Sequence, residues 1–67
     1  MTTPYTLSTG KTVLVEDIEL TIEGRKEGIF AVIFKDRDTN GEPKFEECDR
    51  VDVMYLLDNH QIRHEIR

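Results

Sequence analysis

At 67 residues the chain has room for one domain, 1–67, and one modest core. Its net charge of −5 argues against ligands held through phosphates and against anionic membranes, and it suits a basic protein surface or a cation. The single cysteine, Cys48, excludes an internal disulfide, so self-association or a bound ion is the expected extra support, with a homodimer favoured. No run approaches the length of a membrane span, and the start Met1, Thr2, Thr3, Pro4, Tyr5 lacks the basic and apolar parts of a secretory leader. A reducing cytoplasm is the expected compartment.

Residues 1–10 are rich in Thr and Ser and carry no charged side chain, which predicts an extended lead-in anchored by Tyr5 and Leu7. Residues 12–15 are β-branched and apolar and predict a first strand, interrupted by Glu16 and Asp17 as a bend or bulge would interrupt it. A period of two follows, with Ile18, Leu20 and Ile22 on one side and Asp17, Glu19, Thr21 and Glu23 on the other. This is the pattern of a half-buried strand with its carboxylates in solvent. Gly24 and Gly28 bracket a charged hairpin loop.

Residues 29–34 are continuously apolar, as in a strand buried on both faces. Periodicity alone would also fit a buried helix, but the β-branched and aromatic content and the preceding glycine favour strand. A polar loop covers 36–44, and 45–48 predicts a short strand. Asp49 then has the chemistry of a helix N-cap, with Asp52 favouring the positive helix end. Val53, Leu56 and Leu57 share one helix face, and Asp58 and Asn59 predict its end. Residues 61–66 alternate again, with Ile62, His64 and Ile66 on one side of a last, edge strand. The expected fold is α+β, a small antiparallel sheet of four to five strands with one short helix, in the order β-β-β-β-α-β.

Residues 36–47 fit the pattern D-x-D-x-N-G-x5-E and resemble the EF-hand calcium loop over those twelve residues. The resemblance implies side-chain oxygens from Asp36, Asp38 and Asn40, a backbone carbonyl from Glu42, a sharp turn at Gly41 and a closing carboxylate from Glu47. Pro43 and Lys44 depart from the family pattern, and no amphipathic entering helix precedes Asp36. The plainer reading of the same residues is a hairpin turn, Asn-Gly being a strong turn signal between strands. His60 and His64, with Cys48 upstream, offer zinc-ligand types at a spacing that matches no common finger.

The carboxylates also suggest a protein-facing surface: Asp17, Glu19 and Glu23 from the strand, Asp36, Asp38 and Glu42 from the loop, Glu46 and Glu47 from the short strand, and Asp49 and Asp52 from the helix start. Alternate strand residues lie roughly 6.6–6.8 Å apart, about two steps of the ~3.4 Å phosphate repeat of a DNA strand. Such rows would suit a basic groove that otherwise holds DNA. In size, acidity and lack of a catalytic signature, carried by these carboxylates, the chain resembles small acidic bacteriophage proteins that disable host DNA-binding proteins or defence nucleases, some of them DNA mimics. The resemblance is one of profile across the chain. It implies a basic DNA-binding protein as partner, no direct nucleic-acid contact and a place in the host cytoplasm.

The expected function is therefore binding or inhibition rather than catalysis. A calcium module at 36–47 is the alternative, and a passive assembly subunit the third reading. Val51, Met54 and Tyr55 exceed what one helix face needs for packing and are the expected dimer interface, Met and Tyr being enriched at such surfaces.

Overall fold

The apolar run at 29–34 opens a nine-residue strand that pairs antiparallel on both sides. In the computed structural model, residues 2–66 are described, with Arg25 and Ile66 described by their backbone. In chain order the elements are β1 (Pro4–Thr6), β2 (Thr12–Leu14), a single 3-10 turn (Val15–Asp17), β3 (Ile18–Lys26), β4 (Ile29–Arg37), β5 (Pro43–Asp49), α1 (Arg50–His60) and β6 (Arg63–Ile66). The lead-in supplies a strand of its own. β1 pairs antiparallel with β2 in a small separate hairpin, and the other strands form one sheet in the order β5-β4-β3-β6.

The fold is α+β, as the alternation of patterns predicts. One detail differs from the expected all-antiparallel sheet: β6 lies parallel to β3. The chain leaves β5 at one edge, crosses the sheet through α1 and returns at the other edge, and a crossover of this kind delivers a parallel strand. The expected first strand also stops one residue early, where Val15 enters the 3-10 turn.

α1 begins as its sequence requires. The Asp49 carboxylate accepts from the Asp52 N–H at 3.1 Å, and the Asp52 carboxylate accepts from the Asp49 N–H at 3.4 Å, a reciprocal capping box. The helix does not stop at Asp58 and Asn59. Asn59 remains helical and its side-chain amide donates to the Tyr55 carbonyl. Gln61 takes the left-handed conformation instead (φ 56°), and the N–H groups of Gln61 and Ile62 both reach the Leu56 carbonyl.

α1 and the β1–β2 hairpin cover the same face of the sheet. Between them lies the core: Leu7 and Val13 from the hairpin, Val15 from the turn, Ile18, Phe30, Val32 and Cys48 from the sheet, and Val53, Leu56 and Ile62 from α1 and the segment after it. Tyr5 and Phe34 pack against it. Tyr5 and Leu7 thus anchor the lead-in as expected.

The side-chain alternation along β3 is broken. Ile18 pairs with Phe34 but Leu20 pairs with Ile33, so a bulge falls at Glu19. Paired residues share a face, and Phe34 and Ile33 lie on opposite faces of β4. Ile18 therefore faces α1 while Leu20 and Ile22 face away. Thr21 and Glu23, expected to point outward, turn toward α1 opposite Val32 and Phe30. Thr21 is fully buried, and its hydroxyl lies 3.0 Å from His64 Nδ1. Among the described residues no helix is long and apolar enough to cross a membrane.

Candidate functional site

The carboxylate row expected on β3 is not formed. Asp17 and Glu19 are exposed, but the bulge carries Glu23 to the other face, where it is half-buried. Asp52 is likewise unavailable to a partner, at 3% exposure. It accepts from the Tyr5 hydroxyl at 2.6 Å, the Ser8 N–H at 2.9 Å and the Asp49 N–H. Burial alone would raise its pKa, but the hydrogen bonds from Tyr5, Ser8 and Asp49 outweigh burial and hold the carboxyl below its ordinary value. The Tyr5 phenol is pushed the other way, by burial first and then by its bond to Asp52. Asp52 thus ties the helix start to the N-terminal hairpin. Asp49, half-buried, is engaged as the N-cap.

The 36–47 segment is a hairpin rather than a calcium loop. The Asp38 carboxylate accepts from the N–H groups of Asn40 and Glu42, and the Asp38 N–H and Glu42 carbonyl bond at 2.8 Å. Gly41 takes a positive φ of 82°, and its N–H donates to the Asp38 carbonyl. Glu47 lies on β5 opposite Ala31, five residues along β4 from Asp36. At ~3.3 Å per residue that is roughly 16 Å, too far for both to hold one ion. Cys48 and His64 are also separated, since Cys48 is on β5 and His64 on β6, at opposite edges of the sheet. Three strand spacings place them roughly 14 Å apart. Among the described residues no group of three or more His, Cys, Asp or Glu side chains is arranged to hold a metal ion. Cys48 is buried, and desolvation, reinforced by Asp52 and Asp49, pushes its thiol up to about 12.

Other carboxylates do converge. The bend before β3 lies beside the outer end of β4, so Asp17, Asp36 and Glu46 line one open cleft of about 290 Å³ with Phe34, Lys11 and Lys44. Glu19 sits in the adjoining bulge, and Asp38 and Glu42 lie on the β4–β5 turn just beyond. The strand and loop carboxylates lie far apart in the sequence, and the sheet brings part of each set to one end. At this acidic end the carboxylates outnumber Lys11, Lys35, Arg37 and Lys44. Lys11 and Phe34 were not expected beside these carboxylates, because only the packing of β2 against the sheet brings them there.

At the other end of β4 a larger cleft, about 640 Å³, opens between α1 and the β3–β4 turn. Phe30, Val53, Met54 and Leu57 line it, with Glu23, Glu27, Arg50 and His64. The expected dimer residues are exposed, Val51 at 71%, Met54 at 51% and Tyr55 at 45%, although one face of the Tyr55 ring stacks on Tyr5 at 5.0 Å. The second apolar face expected of residues 29–34 is the sheet face turned away from α1, which carries the buried Leu20 and Ala31, the half-buried Ile22 and Ile33 and the exposed Phe45. The signal was present in the apolar residues at adjoining positions 31, 32 and 33, which must supply both faces of one strand.

Comparison with protein-family models, with curated proteins and with solved structures finds no match. What the protein does is therefore argued from its own surfaces.

Proposed function

We propose that this chain is a non-enzymatic binding protein that occupies a basic, nucleic-acid-binding surface of a partner protein and so blocks or modulates it, as in the inhibitory, anti-defence profile the sequence resembles. The observation that carries this reading is the convergence of Asp17, Asp36 and Glu46 on one cleft, flanked by Glu19, Asp38 and Glu42. A regular ladder copying the phosphate repeat is no longer the means, because Glu23 and Asp52 face inward. Mimicry here is the occupation of a basic groove by a carboxylate cluster. Such contacts act through charge, so they steer the encounter and weaken with salt.

Self-association is the second part of the proposal. A sheet with one apolar face against a helix and the other only partly covered, with Phe45 exposed on it, is an incomplete layer packing. A second copy is the partner this face fits, because a two-fold axis can set the apolar residues Ile22 and Ile33 against their counterparts in the other protomer.

Salt and duplex DNA test the reading. Immobilised protein should retain a basic protein from a bacterial lysate, release it as salt rises from about 0.1 to 0.5 M, where the screening length falls well below about 10 Å, and release it to added duplex DNA. Retention that ignores both would remove mimicry.

A further inference from the structure

We propose that the cleft between α1 and the β3–β4 turn receives one basic side chain, Arg or Lys, presented by an otherwise apolar peptide segment of a partner protein. The site lies at the opposite end of β4 from the acidic cleft and does not depend on it.

The bulge at Glu19 creates the site. By shifting the register it turns Glu23 inward, opposite Phe30 and onto the cleft wall. Glu23 is half-buried there and makes no hydrogen bond or ion pair with another described side chain. Phe30 and Val53 from the core and the exposed Met54 and Leu57 line the cleft with it, beside Glu27, Arg50 and His64. A half-buried carboxylate without a partner of its own gains from a cation delivered to it. The side chain that fits is long, apolar along its stem and positive at its tip. Its methylenes would lie along Val53, Met54 and Leu57, and its head would meet Glu23, with Glu27 at the mouth.

The neighbouring positive groups set the selectivity. Arg50 stands on the rim and disfavours a tract of several basic residues, so a single cation among apolar neighbours is preferred. His64 shares the lining, but its Nδ1 is engaged by the Thr21 hydroxyl and its ring lies 5.9 Å from that of Phe30, which makes it part of the wall.

The probe is the acetylated, amidated pentapeptide Ala-Leu-Arg-Leu-Ala, with a twin carrying citrulline in place of Arg, which keeps the shape and removes the charge. Titrated into isotopically labelled protein, the Arg peptide should give saturable amide shifts at Glu23, Phe30, Met54 and Leu57. The citrulline twin, and the near-isosteric variant Glu23→Gln with the Arg peptide, should each bind at least about tenfold more weakly, the equivalent of about 1.4 kcal/mol. Met54→Trp, at an exposed position, should fill the cleft and abolish the shifts while leaving the spectrum folded. The triple variant Asp17→Lys, Asp36→Lys, Glu46→Lys should bind the peptide as the parent does, which separates this site from the acidic end. Equal binding of the citrulline twin, an unchanged affinity in Glu23→Gln, shifts confined to the sheet face turned away from α1, or no binding at all would overturn the proposal.

Discussion

Asp52 shows how a surface signal can belong to the interior. In the sequence it is one more acid at a helix start, and its cap partner Asp49 is legible three residues away. Its strongest contact, the Tyr5 hydroxyl at 2.6 Å, comes from 47 residues away and has no local signature. Asp52→Ala would leave the Tyr5 hydroxyl and the Ser8 N–H without their acceptor, and should cost about 3 kcal/mol in urea unfolding, since hydrogen bonds to charged groups are each worth about 1.5–3 kcal/mol. Tyr5→Phe keeps the stack on Tyr55 and should lose less. The pH dependence follows from the directions of the shifts. Asp52 has a folded pKa below its unfolded value near 4, so its contribution is complete above about pH 4 and is lost as pH falls further. Tyr5 has a folded pKa above its unfolded value near 10, so its contribution is complete below about pH 10 and is lost as pH rises through the folded value. For this pair, urea midpoints should stay level between those limits and fall outside them, with Asp52→Ala removing the acid decline and lessening the alkaline one, which the burial of Tyr5 sustains.

Among the elements, β3 carries the main lesson. Its alternation was legible, and so were the β3–β4 turn, the hairpin at Asn40 and Gly41 and the helix start. The bulge was not, because a strand sequence with one unpaired residue looks the same as one without; only the partner strand's register reveals it. The parallel placement of β6 was hidden for the same reason, since the crossover through α1 decides which edge it joins. The bulge makes a prediction opposite to the plain alternation. Thr21→Lys should be severely destabilising, by about 3 kcal/mol or more, because it buries a charge between β3 and α1. Glu19→Lys should stay within about 0.5 kcal/mol of the parent, as expected for an exposed position. Thermal unfolding of both variants checks this, and equal tolerance would mean that residue 21 faces water.

At the scale of the whole molecule, α1 and the hairpin crowd one face of the sheet and leave the other apolar and partly exposed. Sedimentation equilibrium should find a dimer, and Ile33→Glu, at the centre of that second face, should return it to monomer. A dimer indifferent to Ile33→Glu but lost in Met54→Glu would move the interface to the helix surface that the sequence suggested. A monomer at every concentration would remove the second copy altogether. The acidic end bears the central claim, that Asp17, Asp36 and Glu46 act together on a basic partner. Its most direct test is retention from a bacterial lysate on two matched columns, one with the parent protein and one with the triple variant Asp17→Lys, Asp36→Lys, Glu46→Lys, whose folding is verified by its spectrum. The account predicts a basic DNA-binding protein held by the parent column and absent from the variant column; the same protein held equally by both would contradict it.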